Sequence, residues 1–544
     1  MKKDFNQTPP NNLSGNGCNK DTKDVPDMQQ IEPDFSGLKN PEIIVNHIQE
    51  IKDSIPDATP HSEILEKLLE QFDVIDFVAL AYPKVVEWRE KLKGIDPKSD
   101  EAKELQKHIE SKKINIKHYL ILSVEEAHRK AVENNWNLCK NNDFIYLYNG
   151  TFWDEIDKEA FQNFLGEASE KMGVDKFDSR FYEFRDKLFK QFMTIAYLPT
   201  PEPDNNEALI NLLNGTFEIT PEKKGLRPFN PDDFITYQLP FSYNPDARCP
   251  IFDKFLDEVL PDVQRQRILA EALSSVFIKH GSNSIKIEKA LMLYGTGANG
   301  KSVLFEVVNA LLGAKNVSNY SLQSLTNDNG YFRALLSNKL VNYASEINGK
   351  LESSFFKQLT SGEPVEARLP YGRPFNITDY AKLIFNVNQL PKDVEHTNAF
   401  FRRFLIIPFD VTIPEEKQDR TLHLKIIENE LAGVFNWVLD GLERLLNQKG
   451  FSECEASQSA LNQYKLESDS VELFLTDSEY ESNPMAYTLI KDIYIQYRTY
   501  CNEDGVPPVK KGNFIKRLKD NGYTVDRIAG NQLAVFVSQK SPFD

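Results

Sequence analysis

Between Leu291 and Leu312 the chain reads LMLYGTGANGKSVLFEVVNALL. Gly295, Gly300, Lys301 and Ser302 fit the spacing G-x-x-x-x-G-K-[ST]. That spacing serves the cradling of a polyphosphate. Backbone N–H groups of a glycine-rich turn and of the first helical turn surround the oxygens, a lysine neutralises the outer phosphates, and a hydroxyl ligates Mg²⁺. Lys301 and Ser302 are placed for the last two roles. The loop run Gly295, Thr296, Gly297, Ala298, Asn299 and Gly300, with Val303 after it, is the expected binding segment. KALMLYG before it is a short apolar run, as a buried strand requires, and SVLFEVVNALLG after it puts 303, 304, 307, 308, 311 and 312 on one helical face. Gly313 falls where a helix ends on a positive φ.

Hydrolysis needs an acidic residue near metal and water, a polar sensor and usually an arginine. KLVNYASE is a second apolar strand ending in Glu346, and a carboxylate at a strand's C-terminal end stands on the same sheet edge as a phosphate loop. Glu346 is therefore expected to polarise water or to help hold Mg²⁺. AKLIFNVNQLP is a third strand. Asn388 at its tip is the expected sensor of phosphate and water, and Asn386 shares its face or is a strand-end turn former. HTNAFFRRFLIIPF places Arg402 and Arg403 before an apolar strand, either as solvated edge charges or as arginines reaching a neighbouring copy's phosphate.

The order and spacing of these parts resemble the superfamily 3 helicases, AAA+ ATPases of viruses, phages and plasmids. Lys301 to Glu346 is 45 residues, Glu346 to Asn388 is 42, and Asn388 to Arg403 is 15. FIYLYNGTFW, LINLLNGTFEI, LPFSYNPDARCPIFDKFLDEVL and FFKQLTSGEPVEARLPYGRPFNITDYAKLIFNVNQLP extend the resemblance to the phage and poxvirus primase–helicase group, over residues 142–544. The resemblance implies ATP and Mg²⁺ on Gly300, Lys301 and Ser302, Glu346 as the acidic residue, Asn388 as sensor, and Arg403, with Arg402 beside it, as the arginine acting on a neighbour. Many relatives carry two acidic residues where this chain has Ser345 before Glu346. The implied protein is an ATP-driven ring helicase, a homo-oligomer and most simply a hexamer, replicating the DNA of a mobile element, with a separate primase or polymerase as a further partner. The rival readings are a primase–helicase with primase chemistry in this chain, an origin-binding ATPase that assembles without unwinding, and an RNA-directed ATPase. No Asp-x-Asp on a strand precedes residue 140, which speaks against primase chemistry in this chain.

Nucleic-acid contacts are expected in two places. Lys357, Arg368, Tyr371 and Arg373 surround a Pro-Tyr-Gly turn where the resembled family carries its pore hairpin, and cations with an aromatic suit a single strand. Residues 507–540 hold seven basic residues against Asp520 and Asp526, and KGNFIKRLKDNGY offers Lys511, Lys516, Arg517 and Lys519 to phosphates.

The elements that must position these groups follow from the pattern. The expected class is α/β: an AAA+ core with a parallel sheet, helical and mixed α+β regions before it, and a C-terminal winged helix. The expected boundaries are a disordered tail at 1–40, a helical accessory domain at 41–140, a mixed α+β domain at 141–260, the ATPase at 261–450 and the winged helix at 465–544. PEIIVNHIQEI and HSEILEKLLEQFDVIDFVALAY have helical periodicity, and two NGTF tetrapeptides (149–152 and 214–217) mark hairpins. The 544 residues carry a net charge of −17, which excludes a uniformly basic coat but not local basic patches. The five cysteines lack ligand spacing for zinc and suit a reducing compartment. The N-terminus has no apolar signal segment and no run approaches a membrane span, so the expected location is the cytoplasm of a bacterial host or infected cell.

Overall fold

The computed structural model describes residues 61–141, 144–196, 207–220, 223–280, 285–345, 351–370, 372–391, 394–503 and 508–539. All lie in one compact unit that begins at Pro56. The expected tail and the helix PEIIVNHIQEI lie outside the described residues.

Helices His61–Glu70, Phe77–Ala81, Lys84–Lys93, Asp100–Glu110 and Ile116–Glu133 open the described chain. The periodicity of HSEILEKLLEQFDVIDFVALAY suggests one helix, but the chain breaks at Gln71–Asp76. Asp76 begins the next helix instead, its carboxylate accepting from Ala79 N at 2.9 Å. Ile64, Leu68, Val124 and Ala127 share a core with Phe161, Phe164, Leu188 and Phe192 of two later helices, Lys158–Lys171 and Tyr182–Ile195.

Two three-stranded antiparallel sheets follow. The first is β1 (Leu138–Asn141), β2 (Phe144–Tyr148) and β3 (Trp153–Glu155). Its NGTF turn is closed by Asn149, whose Oδ1 accepts from Thr151 N at 3.0 Å and Phe152 N at 2.9 Å. The second is β4 (Ala208–Leu212), β5 (Gly215–Ile219) and β6 (Lys224–Arg227).

The central sheet begins with β7 (Ala290–Tyr294), β8 (Val317–Ser318) and β9 (Val341–Ala344). A hairpin of β10 (Val365–Ala367) and β11 (Phe375–Ile377) intervenes before β12 (Lys382–Val387) and β13 (Phe404–Pro408). The order is β13-β7-β12-β9-β8, and every pairing is parallel. Both faces are covered, which is why these strands read as continuous apolar runs. Leu291, Leu293, Ile384, Leu405 and Ile407 face one core with helices Pro250–Val259, Val263–Ser274, Lys301–Leu312 and Leu422–Gln448. Met292, Leu383, Phe385, Phe404 and Ile406 face the other, with Phe356, Phe400, Leu461 and Tyr464.

Helix Leu422–Gln448 sits very close to its neighbours. A Cβ at Gly441 would lie 2.6 Å from the carbonyl carbon of Ala270, and one at Gly433 would lie 2.4 Å from that of Arg248. Backbone atoms cannot rotate away. Gly441→Ala is therefore expected to lower stability by about 1–3 kcal/mol as overpacking, read as a fall in thermal midpoint. A gain of about 1 kcal/mol, the propensity difference alone, would contradict this packing. The same helix supplies Glu430, whose carboxylate accepts from Ile251 N and Phe252 N at 2.9 Å each and caps helix Pro250–Val259.

Beyond these, helices Ser470–Asp477, Ile490–Glu503 and Lys511–Asp520 share a core with β14 (Tyr480–Ser482), β16 (Val525–Arg527), β17 (Leu533–Val535) and β18 (Val537–Gln539), and β15 is Thr488–Leu489. β15, β17 and β16 form one antiparallel sheet, and β14 pairs with β18.

Candidate nucleotide site

The loop after β7 is clamped by backbone on both sides. Gly295 N donates to Val387 O of β12 at 3.1 Å, Phe409 N to Tyr294 O at 2.7 Å, and Ile413 N to Ala298 O at 2.8 Å. Asn299 is buried and donates Nδ2 to Phe409 O at 3.1 Å. Gly300 takes φ +84° immediately before helix Lys301–Leu312, and a Cβ there would stand 2.7 Å from Val259 Cγ1. A Cβ on Gly295 would meet Phe409 O at 2.4 Å. Both glycines are thus demanded by close approach. Thr296, Gly297, Ala298 and Ser302 are exposed, so the rim of the loop and the helix N-terminus stay open to a ligand, while Val303 is half-buried.

Lys301 is 7% exposed. Its ammonium donates to Gly295 O at 2.6 Å, Asn299 Oδ1 at 3.1 Å and Asn388 Oδ1 at 3.4 Å. All three acceptors are neutral, and burial lowers the pKa of the amine. A desolvated cation met only by neutral oxygens fits an anionic ligand. The donor set therefore suits a polyphosphate, and the exposed Ser302 hydroxyl is a group that could meet a metal beside it. Among the described residues, no group of three or more His, Cys, Asp or Glu side chains is gathered as a metal site.

The two asparagines of the sensor strand differ. Asn388 is exposed, one residue past β12, and touches Lys301. Asn386 is buried, accepts from Tyr343 OH at 3.0 Å and donates to Lys301 O at 3.4 Å. It braces the helix start and β9 rather than facing a ligand. Asn386→Ala should leave the Tyr343 hydroxyl buried without a partner and cost about 1–3 kcal/mol of stability. Asn388→Ala should leave the unfolding midpoint in place and reduce hydrolysis instead. Measuring midpoint and turnover for both variants checks the split; equal midpoints would contradict it. Tyr343 was not legible as part of this site, because its partner lies on another strand. Glu346 falls outside the described residues, although β9 ends at Ala344 on the same sheet edge as Asn386, with Phe385 paired to Ala344.

The arginines stand at the other end of the sheet. Phe404 pairs with Ala290, so Arg402 and Arg403 precede β13 beside the start of β7. Arg403 is 7% exposed; its guanidinium donates to Ser361 Oγ at 2.8 Å, to Lys357 O at 3.3 Å and to Ala399 O. Arg402 is exposed and pairs with Glu288 at 3.1 Å, while its carbonyl accepts from Lys289 Nζ at 2.6 Å. The resemblance favours Arg403 as the reaching arginine, whereas in this conformation the accessible one is Arg402.

The expected nucleic-acid residues divide in the same way. Arg368 and Arg373 flank the loop of the β10–β11 hairpin, and Tyr371 lies outside the described residues. Arg373 is exposed; Arg368 lies 5.3 Å from the Tyr331 ring centroid and 3.2 Å from its hydroxyl. Lys357 is on helix Ser353–Ser361 rather than the hairpin, with Glu395 at 2.8 Å. Lys511, Lys516 and Lys519 are exposed on helix Lys511–Asp520. Arg517 instead pairs with buried Asp469 at 3.1 Å, and that carboxylate also caps helix Ser470–Asp477. Neither ion pair is at helical spacing, so neither was readable beforehand.

Residues 125–261 match the family model described as D5 N terminal like, and residues 293–403 match a family of unknown function, DUF5906. Over 244 residues the chain is 27% identical to a protein of Acanthamoeba polyphaga mimivirus described as "Putative helicase L207/L206". That alignment covers 42% of this chain and 24% of the relative, so the chain spans about a quarter of the relative's length. Apo structures of the NrS-1 C-terminal region are similar at 14% identity and a TM-score of 0.43, covering 75% of this chain and 97% of that one; a second form covers 76% and 99% at the same score and identity. Each of these matches covers less than half of this chain, apart from the low-scoring structural likeness. No helix among the described residues is long and apolar enough to cross a membrane.

Proposed function

We propose that this chain is an ATP-hydrolysing DNA helicase of the superfamily 3, AAA+ type, working as a closed ring in the replication of a phage, plasmid or viral element. One observation carries the reading. Lys301 and Asn388 meet at one edge of the parallel sheet, while Arg402 is exposed at the opposite edge, at the start of β13. At about 3.3 Å per residue, a five-residue strand puts roughly 15 Å between the two edges. Arg402 is too far to serve the phosphates beside its own Lys301. In this reading it serves those of another copy, which is what a head-to-tail ring provides.

In this reading, Gly295–Gly300 wraps the phosphates, Lys301 neutralises their outer oxygens and Ser302 offers its hydroxyl to Mg²⁺. The metal, when bound, supplies further positive charge to the phosphoryl group in transfer. Asn388 senses the terminal phosphate and orients water, and Glu346 polarises that water. Arg402 takes the reaching role assigned by resemblance to Arg403, which anchors helix Ser353–Ser361 instead. Arg368, Arg373 and Tyr371 of the hairpin grip a single strand, and Lys511, Lys516 and Lys519 of a winged-helix module track phosphates of a duplex. The test is ATP hydrolysis with and without single-stranded DNA. Stimulation by DNA supports translocation. Hydrolysis indifferent to DNA would leave an assembly ATPase and overturn the helicase reading.

A further inference from the structure

A second site candidate lies away from the phosphate loop, beside the start of β12. A cavity of about 290 Å³ opens there, between the small antiparallel sheets and the central sheet. Lys382, the first residue of β12, lines it and is 9% exposed. Its ammonium lies 3.1 Å from His280 Nδ1 and, among the described residues, makes no ion pair. An ammonium only donates, so Nδ1 accepts and the ring proton of the neutral imidazole stands on Nε2. That Nε2 is buried and has no hydrogen-bond partner among the described residues.

Burial lowers the Lys382 ammonium to about 8 against the pull of the Asp379 charge, and burial together with the Lys382 charge pushes His280 well below its ordinary value against a hydrogen bond with the Tyr380 backbone. The cavity is lined by Lys279 and Lys339 as well, against Glu207 and Asp379. Its aromatic walls do not supply the missing acceptor. Tyr146 OH donates to Asn338 Oδ1 at 2.9 Å, and Tyr237 OH donates to Leu209 O at 2.8 Å. The Lys382 ammonium, met by His280 Nδ1 and drawn by the nearby Asp379 charge, thus lines the cavity with donor capacity to spare, beside a His280 ring on which the Tyr380 backbone also acts, and such groups are costly to leave unmet.

We propose that this cavity is a binding site for a small oxyanion, a phosphate or carboxylate group, held by Lys382 Nζ and His280 Nε2. The volume exceeds that of a bare phosphate, so the oxyanion can carry a small organic body. The proposal is independent of the nucleotide reading, because none of the lining residues belongs to the phosphate loop.

The test uses the full chain carrying Lys301→Ala, which removes phosphate binding at the loop. Thermal unfolding is followed with inorganic phosphate, with succinate, and with sodium chloride at matched ionic strength. The expected result is a rise of several degrees with phosphate, succinate or both, lost when Lys382→Met is added. Phosphate alone identifies a phosphate ligand and succinate alone a carboxylate. Met matches the length of Lys without the buried charge, so the variant should fold. As a second measurement, crystals of the Lys301→Ala chain soaked in sodium tungstate should show an anomalous peak between Lys382 and His280. No rise with either anion, a rise untouched by Lys382→Met, or no peak in this cavity overturns the proposal.

Discussion

Lys301→Ala is expected to reduce ATP hydrolysis by about 10²–10³-fold or more, the range seen when one preorganised donor is removed from a developing oxyanion. The physical argument is the company Lys301 keeps. Its ammonium is buried against Gly295 O, Asn299 Oδ1 and Asn388 Oδ1, none of which carries charge. Nothing local neutralises it, and nothing else described at the loop would neutralise a polyphosphate. The stability readout separates this from unfolding. Removing a desolvated cation that has no carboxylate partner should leave the thermal midpoint unchanged or raise it. Phosphate release and the unfolding midpoint, measured on the same preparation, check both halves. A collapsed midpoint would mean that the lysine holds the loop together, and full activity would mean that the loop does not hold the reacting nucleotide.

The second large effect concerns Arg402. Arg402→Ala should hydrolyse ATP at least about 10³-fold more slowly, the lower end of what a reaching arginine contributes, while still binding nucleotide and remaining folded. Its guanidinium pairs with the half-buried Glu288, and an ion pair with one exposed partner contributes little stability. Mixing Arg402→Ala with Lys301→Ala in equal amounts should restore activity. About a quarter of interfaces would then combine an intact loop with an intact arginine, given random assembly of a cyclic oligomer. Arg403→Ala is the contrast. It removes the guanidinium that donates to Ser361 and to the carbonyls of Lys357 and Ala399, so it should lower the midpoint, and mixing should not rescue it. Rescue of Arg403→Ala but not of Arg402→Ala would reassign the reaching role to Arg403.

Much of the site was legible in the sequence because its parts are local. Gly295–Ser302 is contiguous, the strands around it are apolar on both faces, and Asn388 lies at the end of such a run. What was not legible depends on partners far along the chain. Arg402 and Arg403 are adjacent and chemically equal on paper; Ser361 and Ala399 decide which is buried. Asn386 matches Asn388 in parity, but Tyr343 makes it a brace. Arg517 looks like its basic neighbours until Asp469 takes it. Strand β1 escaped notice because LCKN lacks both alternation and a turn signal, and it is defined only by pairing with β2. Lys382 and His280, 102 residues apart, carried no motif at all.

The strand order has a consequence for when the site comes into being. β7 carries the phosphate loop, yet its two sheet neighbours are β12 and β13, which end at Val387 and Pro408. A chain leaving the ribosome therefore exposes Gly295–Ser302 before either flanking strand exists. At about 5–20 residues per second, the interval is on the order of ten seconds. During it the nascent loop lacks Val387 O and Phe409 O, the carbonyls that later clamp Gly295 and Asn299. Under the proposed function, nucleotide would therefore meet a core already closed as far as Pro408, and would reward that closure rather than serve as a folding nucleus.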